Sequence, residues 1–129
     1  MRKLLSAFLV VFILFFNCLI SEAAELQKAI DNVSRKPAII LLYADWAPGY
    51  TTAIKNFRLA KRELKDKYNF VELNIADPEA RYFNSRYYIL TGLPYIFMIR
   101  GNGRVTKQIR SDCLSTKSCI VDRLKTFAP

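Results

Sequence analysis

Two short strand-like runs, Ala38 to Tyr43 and Phe70 to Ile75, stand on either side of one helical segment, and this restricts the fold more than any other feature of the chain. The first run is wholly apolar and follows Lys36-Pro37, where the residue before proline avoids the α region. A short apolar run bounded by breakers fits a strand buried on both faces. The segment between the runs places Ile54, Phe57, Leu59, Ala60 and Leu64 at helical spacing. Lys55, Arg58, Lys61, Arg62 and Lys65 form its basic exposed face. A strand, a helix and a strand in that order require a parallel pair with a helical crossover.

The remaining elements extend this unit. Glu25 to Val33 is a helix with Leu26, Ala29, Ile30 and Val33 on its apolar face. Ala47-Pro48-Gly49 is a turn, and Thr51 or Thr52 is the expected cap of the central helix, which runs to about Lys67. Glu79 to Tyr88 is a short helix after Asp77-Pro78. Tyr95 to Ile99 and Arg104 to Ile109 are strands joined by Gly101-Asn102-Gly103, a hairpin signal. Ser118 to Phe127 is a last helix with Ile120, Val121, Leu124 and Phe127 on one side. The order α-β-α-β-α-β-β-α predicts an α/β fold, a mixed central sheet flanked by helices on both faces.

The start of the chain reads differently. Arg2 and Lys3 precede an apolar run from Leu4 to Phe16, and small residues follow at Ser21, Ala23 and Ala24. That is the pattern of a secretory signal peptide over residues 1–24, with a single domain over 25–129. An uncleaved inner-membrane anchor is the alternative, although Leu4 to Ile20 is at the lower edge of what spans a bilayer. With cleavage, no transmembrane span remains. Export places the chain in an oxidising compartment, the bacterial periplasm or a secreted space. There Cys113 and Cys119, the two cysteines beyond the signal segment, are expected to pair.

Charge and composition exclude several functions. The 129 residues carry 20 basic and 11 acidic side chains; without residues 1–24 the balance is 18 to 10, or +8. Such a charge suits an anionic surface, or simply a solvated exterior. The basic residues are spread over several segments and no nucleic-acid motif accompanies them, so no nucleic-acid partner is expected. The chain has no histidine, which excludes histidine-based triads and histidine-ligated metal sites. No cofactor motif or glycine-rich phosphate loop is present.

Four local segments carry a resemblance. Tyr43-Ala44-Asp45-Trp46, Val71 to Ile75, Gly92-Leu93-Pro94 and the hairpin from Phe97 to Val105 occur in the order and spacing of the thioredoxin-like superfamily. The Tyr-Ala-Asp-Trp wording is especially similar to the C-terminal domain of DsbD-type periplasmic thiol:disulfide reductases. The resemblance implies a thioredoxin-like fold over about residues 25–128 and a cis peptide bond before Pro94.

It also implies a loss. In the family a Cys-x-x-Cys pair follows the tryptophan; here Trp46 is followed by Ala47, Pro48, Gly49 and Tyr50. Disulfide exchange needs a thiolate whose pKa is lowered at a helix N-terminus. Alanine at the nucleophile position and tyrosine at the resolving position cannot supply one. The family's buried acid, five residues before the tryptophan, is Leu41 here, and its companion lysine falls at Glu72. No catalytic residue is therefore expected at this motif.

What remains is a surface that can bind. In the family, the groove beside the tryptophan and the cis-proline loop holds extended peptides by backbone hydrogen bonds. The corresponding residues are Trp46, Pro48, Tyr50, Leu93, Pro94 and Tyr95, which predicts a protein or peptide partner. A closed surface in which the tyrosines fill the space of the missing cysteines is the competing expectation. Cys113 and Cys119 are expected to form a structural disulfide, with a relocated redox pair as the alternative, Lys117 lowering a thiolate pKa.

Overall fold

The computed structural model describes residues 25–80, 92–101 and 105–126. Residues 1–24, where a signal segment is expected, most of the helix expected from Glu79 to Tyr88, Arg104 and the tip of the expected Gly-Asn-Gly turn lie outside the described residues. Residues 25–31 form helix α1. Strand β1 (Ala38–Tyr43), helix α2 (Tyr50–Leu64) and strand β2 (Asn69–Asn74) follow, then a 3-10 turn at Pro78–Ala80. Strands β3 (Tyr95–Ile99) and β4 (Val105–Ile109), a second 3-10 turn (Ser111–Ser115) and helix α3 (Lys117–Thr126) complete the domain.

The sheet order is β2-β1-β3-β4. β1 and β2 are parallel, with Leu41 opposite Glu72, as a strand–helix–strand crossover demands. β1 and β3 are antiparallel, as are β3 and β4. β1 therefore lies inside the sheet, and Ala38 to Leu42 are fully buried. This accounts for its unbroken apolar run.

Strand alternation sends its side chains into two cores. Ile39 and Leu41 join Phe57, Ala60, Ile120 and Leu124 beneath α2 and α3. Ile40 and Leu42 join Leu26, Ala29 and Val33 of the α1 segment and Val71 and Leu73 of β2. A mixed sheet flanked by helices is the α/β architecture that the element order predicts.

One local expectation is corrected. Neither Thr51 nor Thr52 caps α2: the N-cap is Gly49, at φ 77°, and no side chain supplies a capping bond. A Cβ at Gly49 would meet nothing within 4 Å, so backbone conformation rather than space is what favours glycine there. The helix also stops at Leu64, short of Lys67.

Candidate functional site

The segment joining β1 to α2 is built by its own backbone. Ala47 N–H donates to Ala44 O at 3.0 Å, Tyr50 N–H to Ala47 O at 3.4 Å, and Ala53 N–H to Gly49 O at 3.0 Å. Ala44 and Ala47 are buried beneath this turn. Trp46, between them, projects outward and is 72% exposed, the only exposed large hydrophobic side chain among the described residues. Asp45 ties the turn to the end of β2 by accepting from Asn74 Nδ2 at 3.2 Å.

A second wall comes from far along the chain. After β4 the 3-10 turn brings Ser111, Leu114 and Ser115 against Pro48, Gly49 and Thr52 at the start of α2. Together with Pro94 they enclose a small groove of about 210 Å³. The Leu93–Pro94 peptide bond is cis. Asn56, buried on α2, holds the second wall in place by donating from Nδ2 to Leu114 O at 3.0 Å.

Cys113 and Cys119 form a disulfide that brackets this wall, with their Cα atoms 5.4 Å apart. Cys113 is buried in the α2–α3 core and Cys119 is half-buried against it. The start of α3 is capped: Cys119 N–H donates to Thr116 Oγ1 at 3.3 Å. The Lys117 ammonium, placed by the sequence beside a prospective thiolate, lies 3.1 Å from the Glu63 carboxylate.

The sequence-derived site residues divide into three groups. Pro48 and Pro94 line the groove, and Trp46 stands exposed two residues before Pro48. Tyr50 stacks on Tyr43, with ring centroids 6.3 Å apart, and is not part of the groove lining. Leu93 is buried in the α1-side core, and Tyr95 packs against that core with its ring stacked on Phe97 at 5.9 Å. Gly92 has φ 98°, and a Cβ there would come to 3.0 Å from the Tyr95 ring, so both its backbone and this close approach favour glycine. The groove is thus lined by proline, serine, threonine and leucine rather than by tyrosines. Thr52, Ser111, Leu114 and Ser115 join the groove beyond the residues that the sequence suggests, and the two cysteines on either side of Leu114 and Ser115 mark that segment.

The positions that accompany the redox motif in the resembled family have other roles here. Leu41 is fully buried among apolar neighbours. Glu72 accepts two hydrogen bonds from Arg58, each 2.9 Å, which keep the guanidinium firmly protonated. Burial, reinforced by the carboxylates of Glu72, Asp45 and Asp77, raises the Tyr43 phenol above its ordinary pKa. Among the described residues no cluster of histidine, cysteine and carboxylate side chains could hold a metal ion, and no helix is long and apolar enough to cross a membrane.

This architecture is a thioredoxin-like fold, and comparison with solved structures agrees. The chain is similar to the germline-specific thioredoxin Deadhead of Drosophila melanogaster, at 14% identity and a TM-score of 0.63, covering 80% of this chain and 91% of that one. It is similar to a disulphide isomerase of Xylella fastidiosa Temecula1, at 17% identity and a TM-score of 0.64, covering 83% and 91%. Fasciola hepatica thioredoxin gives 14% identity and a TM-score of 0.64, covering 82% and 94%. At these identities the likeness is one of fold. The sequence matches no family model and no curated protein.

Proposed function

We propose that the chain is an exported, redox-inactive thioredoxin-like protein that binds a partner protein or extended peptide at the surface around Trp46 and the cis-proline loop. The observation that carries this reading is Trp46 itself. Its indole is 72% exposed beside the start of α2, on a turn whose backbone bonds hold it in place. An exposed aromatic on a rigid support offers large contact area at low entropy cost.

The neighbouring groove supports the same reading. At about 210 Å³ it is small, suited to one side chain or a short stretch of extended backbone rather than a cofactor. Ala47, Pro48, Gly49 and Tyr50 supply no sulfur at the helix N-terminus. A surface without a thiolate can grip a chain but cannot exchange disulfides with it. The likeness of Tyr-Ala-Asp-Trp to DsbD-type reductase domains and the signal-like residues 1–24 support placement in the periplasm.

Affinity capture from the exported fraction tests this reading. The Trp46→Ala variant is expected to lose the partners that the unaltered chain retains. Recovery of the same partners by both would refute the assignment.

A second reading, a thiol–disulfide oxidoreductase using Cys113 and Cys119, draws on one observation: Leu114 and Ser115 of the disulfide-closed loop line the groove. The burial of Cys113 and the pairing of Lys117 with Glu63 favour a structural role for the disulfide.

A further inference from the structure

β2 is an outer strand of the described sheet, and its main chain fixes how that edge can be used. In a parallel pair, alternate residues direct both backbone groups toward the neighbouring strand, and the others direct theirs away. Asn69 N–H donates to Pro37 O at 3.0 Å and Ile75 N–H to Tyr43 O at 2.8 Å, which sets the phase. Phe70, Glu72 and Asn74 therefore turn their N–H and C=O groups outward.

Both ends of this edge are closed. Asn74 N–H donates to Asp77 Oδ2 at 3.2 Å, and Asn74 O accepts from Asp77 N–H at 2.9 Å. Upstream, Tyr68 N–H donates to Leu64 O at 3.2 Å. Two N–H and two C=O groups remain, on Phe70 and Glu72, with no partner among the described residues. β2 has no proline, and its pairing with β1 runs without a bulge, so two common devices that protect an edge strand are missing.

These four groups are self-complementary. If a second copy lies antiparallel with the two-fold axis at Val71, Phe70 faces Glu72 of that copy, and Glu72 faces its Phe70. Directly opposed residues of this type exchange both hydrogen bonds. Four bonds form, and the outward N–H and C=O groups of Phe70 and Glu72 in both chains are all used.

The charges along the edge obey the same symmetry. A hollow of about 260 Å³ beside Tyr68 to Val71 has Lys28, Lys61 and Lys65 on its rim, with Glu25 as its one carboxylate. It adjoins one of about 400 Å³ beside Phe70 to Asn74, which shares Glu25 and Lys61 with it; there Asp77 and Glu79 lie, and Arg58 is taken up by Glu72. An antiparallel two-fold arrangement lays the basic end of each copy against the acidic end of the other. We infer that the β2 edge is an isologous docking surface for a second copy of this chain, joining two four-stranded sheets into one.

Sedimentation of the full chain tests this. The mass is expected to double with rising concentration, and the Phe70 and Glu72 amides to gain protection from hydrogen exchange as it does so. Glu72→Pro removes one outward N–H at an edge position that proline tolerates, and is expected to leave a folded monomer. Lys65→Glu and Glu79→Lys are each expected to weaken association about tenfold, because like charges then meet across the axis. An equimolar mixture of these two variants restores it, since both rim pairs of the mixed dimer are again attractive. The mixture decides the matter if Glu72→Pro fails to fold. A chain that stays monomeric, a dimer that survives Glu72→Pro, a monomer that binds only foreign extended peptides at this edge, or a mixture that does not recover would each overturn the assignment.

Discussion

The turn from Trp46 to Tyr50 and the loop from Cys113 to Cys119 border one groove, yet they are built in opposite ways. The first has no sulfur and is held by main-chain hydrogen bonds and a left-handed glycine, with its largest side chain left in solvent. The second is closed by a disulfide, anchored to α2 through Asn56 and packed into the core through Cys113 and Leu114. One wall leaves an aromatic side chain in solvent, and the other is pinned to the core. The cysteine sulfurs of the described residues belong to the disulfide-closed wall.

That contrast ranks the consequences of mutation. Replacing both cysteines by alanine is expected to have the largest effect on stability. A loop this short gives a loss of about 2 kcal/mol, on the order of 10 °C in thermal midpoint, readable by calorimetry. Asn56→Ala follows, at about 1–2 kcal/mol in a denaturant titration, because Leu114 O then stays buried without its donor.

Tyr68→Phe is expected to cost about 1 kcal/mol, by removing the bond that Tyr68 Oη donates to Leu124 O at 3.0 Å. It also changes the alkaline limb. Burial raises the Tyr68 phenol above its ordinary value of 10.0, so the unfolded chain releases that proton first. The contribution is complete below pH 10 and is lost as pH rises through the higher folded-state value. The thermal midpoint should therefore fall more steeply above pH 10 in the unaltered chain than in the variant. Trp46→Ala should change stability least, by no more than about 0.5 kcal/mol, because its ring lies outside both cores. A larger loss would make Trp46 a structural residue and erase the contrast.

The sequence exposed the framework more fully than the groove. β1 and β3 have the boundaries read from their apolar runs, because breakers and burial act locally. The cap of α2 was misread because threonine is a good capping residue by chemistry, whereas the chain reaches the helix through a positive φ that favours glycine. The groove was mis-lined for two reasons. Tyr95 and Phe97 lie two apart on one strand and share a face, so their stacking toward the α1-side core was legible from alternation alone. Leu114 reaches the groove through a bond to Asn56, 58 residues away, which no local pattern announces. The outward direction of the Phe70 and Glu72 backbone groups likewise emerges only from sheet order and pairing phase.

The claim that this domain grips without exchanging is tested most directly by insulin reduction in the presence of dithiothreitol. The account predicts a rate equal to the uncatalysed background, unchanged by Cys113→Ala. Catalysed turnover that Cys113→Ala abolishes would contradict it and make the disulfide-closed wall the reactive one.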